Sequence, residues 1–178
     1  MAKSAGNFYT LRDIVDKNKD ISEILIYRGF RLMALQNQYR ENFNFTFDRL
    51  QAAINTIKWL DEMMKRLGRY RDLLMRDKVK LSGDDLALTA KWRIKFHDIS
   101  REFRENQQSY MQEWVERLED DFDTLGAMGL LYEYQTYINS GIDDTLFSLG
   151  EVESLIWLLQ SWNEVIAILD FDLLVSVS

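Results

Sequence analysis

Near its start the chain reads Lys3-Ser4-Ala5-Gly6, a cation and a hydroxyl on a segment that a glycine leaves conformationally permissive. Such a segment can close over a polyphosphate, its ammonium offsetting the charge that develops as pyrophosphate leaves. A second candidate is Arg40, with Tyr39 beside it and Phe43 nearby. A guanidinium among aromatics suits an RNA strand, because the charge meets phosphate while the rings stack on bases. The same rings can equally fold back over the end of a helical bundle. Arg31 follows Phe30 and precedes Leu32 and Met33 on an apolar helical pattern. Two roles compete for it, a buried ion pair and a phosphate contact.

Other chemistries find no foothold. There is no Cys and only one His, which excludes a disulfide framework and a conventional Cys/His zinc site. His97, between Phe96 and Asp98 on a charged helical pattern, reads as surface or helix packing, and no Ser or Cys nucleophile pattern accompanies it. Glu119, Asp120, Asp121 and Asp123 suggest a cation site, but they lack an EF-hand spacing. Acidic residues before a helix more simply cap its amides and complement its dipole. No catalytic residue is assigned in this sequence.

Charge is divided unevenly. Residues 1–112 hold 21 Lys/Arg against 15 Asp/Glu, a balance of +6, and residues 113–178 hold 1 against 14, a balance of −13. Lys3, Arg12, Lys17, Lys19, Arg28, Arg31 and Arg40 can attract a phosphate backbone, whereas the acidic part should point away from RNA. The first residues form no signal-peptide pattern. The most apolar stretch, Leu155 to Val175, is broken by Gln160, Ser161, Asn163, Glu164, Asp170 and Asp172. Polar residues at mid-segment are costly in a membrane, so a bundle helix is expected there.

Helices must position these groups. With no Pro, few Gly and apolar residues at helical spacing, the 178 residues point to an all-α antiparallel bundle. A short helix is expected from Thr10 or Leu11 to Lys17. A second is capped by Asp20 or Ser22 and ends near Asn37. Thr46 caps a long helix to about Lys78, on which Phe47, Leu50, Ala53, Ile54, Ile57, Leu60, Met64 and Leu67 form one stripe. Another long helix follows Ser82-Gly83-Asp84 to about Leu118. The next is capped by Thr124 and stops at Ser140-Gly141, and Gly150 precedes the last.

The opening residues also carry a resemblance. Met1-Ala2-Lys3-Ser4 resembles the second signature loop of class I aminoacyl-tRNA synthetases, K-M-S-K-S, with the first lysine falling before Met1 and Ala2 in place of the central serine. Gly6, Asn7, Phe8, Thr10, Arg12 and Asp13 match G-N-F-x-T-x-R-D, which narrows the resemblance to cysteinyl-tRNA synthetases. Arg31 falls at the arginine of that family's A-L-R element, Tyr39-Arg40 at its Y-R and Phe45-Thr46 at its F-T. Asp120, Asp121, Phe122, Thr124 and Ala127 match M-x-D-D-F-N-T-P-x-A. Gln38, Asn42, Asp123 and Leu125 depart from the family's pattern.

The resemblance implies a C-terminal part of such an enzyme. Residues 1–19 would be the end of the catalytic loop and a connecting helix, and 20–178 the helical tRNA-binding bundle called DALR. It implies ATP at Lys3 and Ser4, tRNA at Arg31, Tyr39 and Arg40, and zinc only in the catalytic domain of the same chain. A cytoplasmic protein with no membrane contact is expected, inactive in cysteine activation by this part alone. The alternative is a free-standing, non-catalytic interaction module derived from a synthetase.

Overall fold

Short polar side chains start nearly every helix. The computed structural model describes residues 9–37, 42–80 and 99–175, and every element among them is helical. These are α1 (Leu11–Lys17), α2 (Glu23–Leu35), α3 (Phe47–Lys80), α4 (Arg101–Glu119), α5 (Thr124–Asp143), α6 (Leu149–Ile166) and a closing 3-10 turn, Phe171–Leu174. Thr10 accepts from the Asp13 amide while the Asp13 carboxylate accepts from the Thr10 amide at 2.8 Å, a reciprocal capping box. Ser22, Thr46, Ser100 and Ser148 cap α2, α3, α4 and α6 in the same one-sided or reciprocal way.

Three boundaries differ from the sequence reading. Asp123, not Thr124, caps α5, accepting from the Gly126 amide at 2.9 Å. Helix α5 also runs through Ser140-Gly141 to Asp143. Gly141 is there for space: a Cβ on it would lie 2.1 Å from the Phe147 ring. Gly150 lies inside the first turn of α6 rather than before it. The start of the helix expected after Ser82-Gly83-Asp84 lies outside the described residues, which show α4 beginning at Arg101.

The long helix α3, 34 residues and so about 51 Å at ~1.5 Å per residue, is the spine. Its stripe of Leu50, Ala53, Ile54, Ile57, Leu60, Met64 and Leu67 is buried, as the spacing predicts. Phe103, Trp114, Leu131 and Trp162 are buried too. Consecutive helices α4 and α5 run antiparallel, with Tyr134 and Tyr137 against Tyr110 and Asp123 reaching back to Arg117. Helices α4 and α6 run parallel. Their N-termini meet where Glu151 binds Ser100, and further along Trp114 stacks on Trp162 at 4.5 Å.

Glu151 is buried and joins two helix starts. Its carboxylate accepts from the Ser148 amide at 2.9 Å within its own cap, and from the Ser100 amide and hydroxyl at 3.0 and 2.9 Å. The positive ends of two helix dipoles and three donors thus serve one anion. Buried Tyr134 donates to Gln107 at 2.8 Å, and burial pushes its phenol pKa up.

The closing turn packs where α3 has no side chain. A Cβ on Gly68 would lie 2.4 Å from the Leu174 carbonyl oxygen and 2.8 Å from its carbon. Alanine favours a helix over glycine by roughly 1 kcal/mol, but here the added methyl must push backbone aside. Gly68→Ala is therefore expected to destabilise by about 1–3 kcal/mol, a net loss despite its better propensity. Thermal denaturation followed by circular dichroism checks this, and a raised midpoint would refute the close approach.

Candidate nucleic-acid interface

Lys3, Ser4, Tyr39 and Arg40 lie outside the described residues, as does His97. The described residues begin at Tyr9, which is packed into the bundle. Tyr9 packs edge-on against Phe47 at 5.1 Å and Phe45 at 6.1 Å, and the Lys17 ammonium sits 4.3 Å from the Tyr9 ring centre. Phe43, one of the two aromatics near Arg40, folds back onto Phe30 at 5.5 Å. That ring folds back on the bundle while remaining 40% exposed.

Arg31 takes a third role. Its Nε donates to the Ile166 carbonyl and its guanidinium nitrogen to the Val165 carbonyl at 2.9 Å, the last turn of α6. A helix ends with unpaired carbonyls, and a cation there completes them. One turn earlier on α2, Arg28 donates to the Ile168 carbonyl at 2.7 Å and pairs with Asp61 of α3. Asn163 completes the site, its side-chain oxygen accepting from the Ile168 and Leu169 amides at 2.9 and 2.8 Å. Arg28 and Arg31 are thus engaged in holding α6. Arg12 and Lys19 are exposed, with no ion-pair partner among the described residues.

The open cations lie on α3 instead. Lys58, Lys65, Arg69 and Arg76 recur at spacings of seven, four and seven residues. At ~100° per residue they fall within about 40° of one another, on the face turned to solvent. Lys65 pairs with Glu62 at 2.6 Å, while Lys58, Arg69 and Arg76 are exposed and have no ion-pair partner among the described residues. From Lys58 to Arg76 the row runs about 27 Å. Beside it Trp59 is 49% exposed and leans on Tyr132. The sequence reading followed the apolar stripe of this helix and passed over the basic one; the seven–four–seven spacing was the signal that exposes it.

The acidic part presents a different surface. Glu113, Glu116, Arg117 and Asp120 line one side of α4, where Arg117 bonds to Glu113 at 3.1 Å and Asp123 at 3.4 Å. Asp123 is a helix cap, as the acidic run suggests. Among the described residues no group of three or more His, Cys, Asp or Glu is placed to hold a metal ion. No helix among them is long and apolar enough to cross a membrane.

Removing each arginine of α2 should have a distinct cost. Arg31→Ala frees two carbonyls at an exposed helix end and is expected to destabilise by about 1 kcal/mol. Arg28→Ala strands Asp61, whose side chain is only 16% exposed, and should cost about 2–4 kcal/mol. Chemical denaturation of the two variants checks the ranking; an Arg31 variant as unstable as the Arg28 one would contradict it.

No family model matches the chain. Proteins named cysteine–tRNA ligase do. That of Protochlamydia amoebophila (strain UWE25) is 27% identical over 172 residues, covering 97% of this chain and 30% of that protein. Those of Chlamydia trachomatis serovar D and Chlamydia caviae are each 26% identical, again over 97% of this chain and over 32% and 30% of theirs. The chain spans about a third of the length of these curated relatives. Over nearly its whole length it is a homologue of cysteine–tRNA ligases.

Proposed function

We propose that the chain is the helical, tRNA-contacting part of a cysteine–tRNA ligase. The observation that carries this is the similarity to proteins of that name over 97% of its residues. The all-helical bundle agrees with the DALR-type domain that the sequence resemblance implies. In the full enzyme the activity would be ATP-dependent attachment of cysteine to tRNA in the cytoplasm. Lys3 and Ser4 are the residues here that would meet ATP. The resemblance implies zinc in the catalytic part of the full enzyme; with no Cys and one His, this sequence holds no conventional Cys/His zinc site.

Tyr39 and Arg40 are kept as tRNA contacts from the resemblance. The row on α3 supplies a further surface for the RNA backbone, since Lys58, Arg69 and Arg76, which have no ion-pair partner among the described residues, would release counterions on meeting phosphates. Arg31 contributes indirectly, by fixing the end of α6 against α2.

Binding should weaken steeply with salt. In a fluorescence titration of the chain with unfractionated tRNA, each of Lys58→Ala, Arg69→Ala and Arg76→Ala is expected to flatten the log–log salt slope by roughly 0.7–0.9. Arg40→Ala should do the same without lowering the melting midpoint. A chain that does not bind tRNA, or binds it independently of salt, would instead fit a free-standing interaction module.

A further inference from the structure

We propose that Trp59 is a base-stacking platform, so that this face of α3 takes an unpaired nucleotide beside the RNA backbone. The proposal rests on the RNA-contact reading above and goes further, assigning a residue and a ligand chemistry.

Trp59 sits in the middle of a helix whose other large apolar residues nearby, Ile57, Leu60, Met63 and Met64, are buried, yet about half of its surface meets solvent. It is held rather than loose. Its ring centre lies 6.3 Å from that of Tyr132, at an interplanar angle of 51°. Tyr132 is in turn fixed by the Gln36 side-chain amide, which donates to its hydroxyl at 2.8 Å. Beneath, the buried Gln135 amide donates to the Trp59 carbonyl at 3.3 Å. A supported, half-open indole is ready to stack at little ordering cost.

Charge selects the occupant. Lys58 is adjacent, and Lys65, Arg69 and Arg76 continue along the same helix, so a polyanion is drawn past the indole. Stacking is tolerant of sequence because every base has a π-face. The acids around the indole do not cancel this field. Glu62 pairs with Lys65, which leaves Lys58, Arg69 and Arg76 as the open cations of the row. Trp157 of α6 provides the contrast. It is 58% exposed, but Glu153 and Glu164 share its exposed side of the helix, a setting that repels phosphate.

The test uses the chain itself, a short single-stranded oligoadenylate and an RNA duplex with the same number of phosphates. Affinity, indole fluorescence and the salt slope are read for the unaltered chain and for Trp59→Ala, Trp59→Phe and Trp157→Ala, with circular dichroism reporting the fold. Trp59→Ala should lose roughly fivefold to a hundredfold in affinity for the single strand, with an unchanged salt slope and unchanged duplex binding. Trp59→Phe should keep most of the affinity, and Trp157→Ala all of it. Equal binding by Trp59→Ala overturns the proposal, as does an equal loss for Trp157→Ala. A Trp59→Ala variant whose only change is dissociation of a dimer also overturns it, since the indole would then contact a second copy. If the unaltered chain binds neither RNA, the RNA-contact reading fails first; if it binds both and Trp59 is silent, only the stacking assignment fails.

Discussion

The bundle depends on how the polar ends of α6 are satisfied. An α-helix leaves unpaired amides at its start and unpaired carbonyls at its end, and burying either without partners costs free energy. At the start of α6, Glu151 closes the Ser148 cap and extends to Ser100, so one carboxylate completes α6 and sets where α4 begins. At its end, Arg28 and Arg31 reach from α2 to the carbonyls of residues 165, 166 and 168. Asn163 then holds the turn in which Ala167 takes a left-handed conformation with φ 49°. A non-glycine residue is disfavoured there, and the side-chain bonds of Asn163 offset that strain.

Placing α6 in this way divides the basic residues between two tasks. Those on α2 are directed inward along the surface, to helix ends and to Asp61. Arg66 and Arg71 of α3 also turn to the protein, toward Asn139 and the Leu174 carbonyl. What remains among the described residues is the outer row of α3, where Lys58, Arg69 and Arg76 are exposed. Solvated cations carry little stabilising energy in a fold. Their value lies in the long-range field they set beside a half-exposed tryptophan, while the acidic face of α4 carries the opposite sign elsewhere on the molecule.

Much of the architecture was legible in the residues. Periodicity of about 3.6 predicts which side of α3 is buried, because apolar area leaves water only on a shared face. Ser22 and Thr46 mark helix starts because their hydroxyls satisfy amides three residues on. The resemblance in residues 3–13, 31–46 and 120–127 agrees with the relatives found. One misplaced boundary has a clear cause: Gly141 reads as a helix stop until the Phe147 ring is seen filling the space beside it. Glycine permits a break, but it equally permits close contact, and only a neighbour distinguishes the two.

By itself the sequence determined the helical class, the buried stripe, the caps at Ser22 and Thr46 and the synthetase-like pattern, since each rests on residues within a few positions of one another. Tertiary structure alone decided the tasks of the polar groups. Ser100 and Glu151 are 51 positions apart, and Arg31 is 134 from Val165. Nothing local distinguishes a guanidinium that will close a distant helix from one that will face a phosphate, because both need a cation at a surface position. The path of the chain settles which acceptors come within reach, and so leaves Lys58, Arg69 and Arg76 of α3 without an ion-pair partner among the described residues while Arg28 and Arg31 of α2 are spoken for.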